Sequence, residues 1–69
     1  MSTVSIVSIT TVLSVHADEH PANMRRLTDR AMDLADHARH GYQVASTVTV
    51  TGEEGTILVD TLQKVEAGA

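Results

Sequence analysis

Cysteine, tryptophan and phenylalanine are absent from these 69 residues, and Tyr42 is the single aromatic. Without cysteine there is no disulfide to brace the chain and no thiol nucleophile. With one aromatic there is no stacking platform for single-stranded bases. Cationic residues are also scarce: five Lys and Arg stand against nine Asp and Glu, for a net charge of −4. A phosphate-backbone binder needs a basic footprint, so no nucleic-acid partner is expected. Long apolar runs are missing too. The stretch Val4–Val15 is interrupted by Ser5, Ser8, Thr10, Thr11 and Ser14, far short of the roughly 18 residues of a membrane span. It carries no basic n-region and no small-residue cleavage site. No membrane partner and a cytoplasmic location are the expectations.

The length allows one domain, residues 1–69. A chain of this size buries only about 60% of the surface it exposes when unfolded. Small domains compensate with disulfides, metals or oligomerisation. Disulfides being impossible here, a homo-oligomer is the expectation.

The residues present sort into three blocks. Residues 3–15 are nearly all Val, Ile, Leu, Ser or Thr, the composition of a strand. Val7, Ile9, Leu13 and Val15 alternate onto one face, and Val4, Ile6 and Val12 onto the other. A sheet with one wet face shows cleaner alternation than this, so the second face is expected to be covered by another subunit. After the polar break 16–20, Pro21 opens a helix over about 21–40. Met24, Leu27, Ala31, Leu34 and Ala38 form an apolar stripe, opposite Arg25, Arg26, Asp29, Arg30, Asp33, Asp36 and Arg39. Gly41 is placed to end the helix in a left-handed conformation.

Two strands follow, about 42–51 and about 56–65, joined by the turn Thr51-Gly52-Glu53-Glu54-Gly55. In the first, alternation sets Tyr42, Val44, Val48 and Val50 against Gln43, Ala45, Thr47 and Thr49. In the second, Ile57 and Val59 oppose Leu58 and Leu62, and residues 66–69 read as a frayed tail. The fold class is α+β in β-α-β-β order: a three-stranded sheet, one amphipathic helix on one face, and oligomerisation through the other. The helical crossover makes the first strand parallel to one of the others, or sets it at an edge. Val4, Ile6, Val12, Leu58 and Leu62 lie off the helix-facing pattern and are the candidate subunit interface.

Gly41-Tyr42-Gln43-Val44-Ala45-Ser46 and Gly55-Thr56-Ile57-Leu58-Val59 resemble the two closing strands of a family of small bacterial and phage domains of unknown function. That family begins its second strand Gly-Trp-Glu-Leu-Val-Ser, with Trp where this chain has Tyr42. The resemblance implies topology and no activity. The length and the β-α-β-β order are also similar to those of dodecins, flavin-storing assemblies that stack flavin on an indole. With no Trp here, only the principle of a small protomer in a large assembly carries over. No cofactor is expected.

Chemistry-bearing residues are few. His37 and His40 share one side of the last helical turn, while His16 and His20 flank the helix start. Zinc needs three or four converging ligands, and the two pairs stand roughly 28 Å apart along a helix of about 19 residues. His37 and His40 are thus weak metal candidates, and as i,i+4 partners of Asp33 and Asp36 they suit a structural role. Ser14, His16 and Asp18 are the residue types of a triad, but alternate residues of an extended chain do not converge. No glycine-rich phosphate loop or nucleophile elbow occurs, and no enzyme is expected. Thr47, Thr49 and Thr51 form a short ladder suited to a solvated or subunit-facing strand.

Two functions of different kinds remain. One is a small non-catalytic oligomeric interaction or scaffold protein, of bacterial or phage origin, acting on a protein partner, of which a virion component is a variant. The other is a small-ligand binder with sites at subunit interfaces, drawing on Arg25, Arg26, Arg30, Tyr42 and the histidines.

Overall fold

A computed structural model describes residues 2–67. Strand β1 (Ser2–Ser14) leads through a 3-10 turn (Ala17–Glu19) into helix α1 (His20–Arg39), then β2 (Gln43–Thr51) and β3 (Gly55–Ala67). The α+β architecture expected from composition and periodicity is the one observed. β3 extends past residue 65, and Ala67 and Glu66 pair with Ser2 and Thr3. The expected fray therefore does not begin at residue 66, and residues 68 and 69 lie outside the described part.

The sheet order is β1-β3-β2, with both pairings antiparallel. The tight turn makes β2 and β3 a hairpin, and the helix carries the chain from β1 across to its far side. β1 is thus an edge strand, and since both β1 and β2 are antiparallel to β3, they run parallel to each other with β3 between them. At the turn, the Gly52 amide donates to the Gly55 carbonyl at 2.8 Å, and the Val15 amide donates to the Glu54 carbonyl at 3.1 Å. Gly55 lies so close to β1 that an added Cβ would run into the Leu13 carbonyl oxygen. Both are backbone groups of paired strands and cannot rotate apart. Gly55→Ala should therefore lower stability by about 2–3 kcal/mol, a fall on the order of 10 °C in melting temperature. At Gly52 an added Cβ meets nothing within 4 Å, so Gly52→Ala is the control. Equal melting temperatures for the two variants would contradict the close approach.

The helix ends as a Schellman motif. Gly41 takes φ +89°, its amide donates to the Ala38 carbonyl, and the Tyr42 amide donates to the His37 carbonyl, each at 3.0 Å. The rings of His37 and Tyr42 meet edge to face at 5.5 Å, closing the motif with its usual side-chain contact. The helix start has no side-chain cap. Instead the Asn23 side chain clamps the end of β1: its Oδ1 accepts from the Ser14 amide at 2.9 Å and its Nδ2 donates to the Ser14 carbonyl at 2.7 Å.

Register divides the sheet into two faces. Val7 lies opposite Leu62, Ile9 opposite Asp60, and Thr11 opposite Leu58. These are the residues beneath α1, and Ile9, Thr11, Asp60 and Leu62 are buried. The helix itself buries no residue. It touches the sheet chiefly along β1, with Asn23, Arg30, Leu34 and His37 half-buried. The stripe expected from apolar spacing is therefore turned by about one residue. Arg30, expected on the solvated side, faces the sheet because Asp60 of the central strand draws it there. Met24, Ala31 and Ala38 are left exposed.

The shape is flat, 52 × 21 × 10 Å. Its radius of gyration is 14.7 Å, against about 11 Å for a compact chain of this length.

Candidate functional site

Two features stand out: the uncovered sheet face and a closed charge cluster beneath the helix. The open face is built from the alternate residues of all three strands. β1 contributes Val4, Ile6 and Val12, β3 contributes Ile57, Val59 and Val65, and β2 contributes Val48 and Val50. Between them lie Ser8, Thr10, Ser46, Thr61 and Gln63. No described side chain of this face is charged. Asp60 and Lys64, the charged residues of the strands with described side chains, belong to the helix side. Ile6 is 67% exposed, and Val4, Val12, Val48, Val50, Ile57 and Val65 are also exposed.

Of the five residues expected at an interface, Val4, Ile6 and Val12 share this face. Leu58 and Leu62 do not. They pair with Thr11 and Val7 on the helix side, and Leu62 is only 1% exposed. Alternation within β3 had separated them from Ile57 and Val59, and the position of the helix decides which pair is covered. Val44 also changes sides. A β-bulge between Val44 and Ser46 sets Val44 opposite Leu62, away from Val48 and Val50, and Tyr42 lies outside the strand. One inserted residue reverses every side chain beyond it.

On the helix side, Arg30 grips Asp60 with two parallel bonds, Nε to Oδ2 at 2.7 Å and Nη2 to Oδ1 at 2.8 Å. The Thr47 hydroxyl donates to Asp60 Oδ1 at 2.7 Å. Asp60 is 0% exposed, yet hydrogen bonding from Arg30 outweighs burial and holds its carboxyl below the ordinary aspartate range, with Thr47 assisting. Reciprocally, the bond to Asp60 raises the Arg30 guanidinium above its usual value. Arg30 is thus spent on the fold. Arg26 contacts Glu19 at 3.9 Å and Asn23 Oδ1 at 3.4 Å.

The four expected ligand-binding residues do not meet. Arg25 and Arg26 stand near the helix start, Arg30 is closed onto Asp60, and Tyr42 lies past the helix end beside His37 and the Lys64 ammonium. About 20 Å of helix separates Arg26 from Arg39. A cleft of about 280 Å³ between α1 and the outer edge of β1 does contain Arg26 and Arg30, but with Asp29 and Asp33. Its charges cancel. A second cleft, about 470 Å³, opens at the hairpin end over Val12, Val50 and Ile57. The contact of His16 Nε2 with Glu54 Oε2, at 2.9 Å, lies along its lining.

His37 and His40 are committed within the last turns of the helix. Nδ1 of His37 donates to the Asp33 carbonyl at 2.7 Å, and Nδ1 of His40 to the Asp36 carbonyl at 2.8 Å. A carbonyl only accepts, so each ring carries a proton on Nδ1. Among the described residues no three His, Cys, Asp or Glu side chains converge as a metal site. No described helix is long and apolar enough to cross a membrane.

No family model matches the chain, and no curated protein or solved structure matches it either. The resemblances in the two closing strands therefore extend to element order and no further.

Proposed function

We propose that this chain is a small non-catalytic scaffold or interaction protein whose protomers associate through the charge-free sheet face. The uncovered face itself is the observation that carries this reading. The chain exposes 4937 Å², roughly 700 Å² more than the surface of a compact monomer of its mass. A standard protein interface takes about 800 Å² from each partner. The excess and the requirement agree.

Charge points to a second copy as the occupant. A protomer of net charge −4 repels its copies, so association favours the one surface without charge. An array of valine, isoleucine, serine and threonine is complementary to itself. Two such sheets pack about 10 Å apart with interdigitating side chains. The helices then point outward, presenting Arg25, Asp29, Asp33, Asp36 and Arg39 to a protein partner. The strongest polar groups support a non-catalytic role, since Arg30, Asp60 and Thr47 satisfy one another.

Sedimentation velocity tests the association. The wild-type chain is expected to run at a multiple of 7.4 kDa at micromolar concentration, and Ile6→Glu at a smaller multiple with unchanged circular dichroism. On a bare surface that substitution would cost under about 0.5 kcal/mol. A wild-type chain sedimenting as a single 7.4 kDa species would overturn the proposal.

A further inference from the structure

The two edges of the sheet are not equivalent. Beside β1 stand Arg26, Asp29 and Asp33 of the helix, which share a cleft with Thr10 and Val12. Among the described residues no charged side chain of the helix lines a cleft with β2 in this way, and every residue of Gln43–Thr51 is exposed. Natural sheets protect an open edge with lysine, proline, inward charge or a bulge. β2 holds no charged residue and no proline. Its one bulge lies near the start, between Val44 and Ser46, leaving 46–51 regular. Those six residues, Ser-Thr-Val-Thr-Val-Thr, are β-prone, uncharged and proline-free, the signature of a segment that pairs with another strand.

We infer that the β2 edge pairs antiparallel with β2 of a second copy, about a twofold axis at Thr49, to form a continuous six-stranded sheet. Isologous contact is what a closed dimer requires, and antiparallel self-pairing provides it. The register follows from the side chains. Centred on Thr49, Val48 lies opposite Val50 of the second copy and Thr47 opposite Thr51, so each face meets its like. Centred on Val48, the pairing would set Ser46 against Val50. The Thr49 register also joins the charge-free faces of both copies into one surface. The inference rests on the oligomeric reading only in taking a second copy as partner, since edge and face are separate contacts.

Thr49→Lys and Thr49→Glu test it, because a twofold axis at residue 49 places each new charge directly opposite itself. Sedimentation velocity is expected to show each variant alone at half the wild-type mass, and an equimolar mixture back at the wild-type mass. Ile6→Glu, on the open face, distinguishes the two contacts. If it reduces the mass while Thr49→Lys does not, the edge pairing is wrong and the face reading stands. If Thr49→Lys and Thr49→Glu reduce it and their mixture restores it while Ile6→Glu has no effect, the edge pairing stands and the face reading is wrong. A wild-type chain of single-protomer mass overturns both. Should either charged variant lose its circular dichroism spectrum, Thr49→Cys replaces it. A disulfide-linked dimer is then expected on mild oxidation, and its failure to form would overturn the axis.

Discussion

Replacing Arg30 with alanine is expected to cost about 3–5 kcal/mol of stability, the usual effect of removing one partner from a buried ion pair. A chain of this size has roughly 3–10 kcal/mol in all, so the variant is expected to be largely unfolded at room temperature. The loss comes from what is left behind. Asp60 is 0% exposed in the middle of the central strand, and without Arg30 its carboxylate keeps one hydrogen bond, from Thr47. The reverse replacement is milder. The Arg30 side chain is 27% exposed, so in Asp60→Ala its guanidinium can turn to water. Urea unfolding of both variants measures the difference, and an Arg30→Ala chain within about 1 kcal/mol of wild type, the net worth of a single hydrogen bond, would refute this account.

The same pair makes stability depend on acidity in a definite direction. Asp60 titrates lower in the folded chain than in the unfolded one, where an aspartate has a pKa of about 3.9. Its contribution is complete above the unfolded value. It is lost progressively as pH falls below that value and through the folded one. Melting temperature should therefore hold across neutral pH and fall below about pH 4. In Asp60→Asn that portion of the acid slope should disappear, which a thermal melt at a series of pH values would register.

Much of this was legible in the residues, and the rest depended on relations that spacing does not encode. The helix could be placed because Pro21 opens it and Gly41 closes it, each for a local steric reason. The two faces of β1 could be read because it pairs with β3 through thirteen residues without a bulge, so odd and even positions keep their sides throughout. The bulge at Val44 and Ser46 could not, since nothing in Val-Ala-Ser marks an inserted residue. The rotation of the helix was misread for a related reason. Apolar spacing favoured Met24, Ala31 and Ala38, while the stripe that packs is centred on Asn23, Arg30, Leu34 and His37. A signal was present in β3: Asp60 falls in alternation with Leu58 and Leu62, so a carboxylate on an apolar face demanded a cation from the helix above. Asn23 offered no such sign, because its clamp on Ser14 is made to backbone.

Leu62→Ala carries the second large effect and tests the assignment of the two faces. Leu62 is the large apolar side chain nearest to complete burial, 1% exposed, on the central strand between Val7 of β1 and Val44 of β2. Truncating a buried leucine removes its transfer free energy and leaves a cavity, together worth about 2–5 kcal/mol. A flat two-layer chain has little bulk with which to refill the space, so a value in the upper half of that range is expected. Ile6→Glu should behave oppositely, changing association while leaving each protomer folded. If Leu62→Ala instead dissociates the assembly and keeps its unfolding midpoint, Leu62 belongs to a subunit contact and the helix does not cover it. A lowered midpoint with the assembly mass unchanged places Leu62 inside the protomer, because loss of a subunit contact would lower the mass at the same protein concentration.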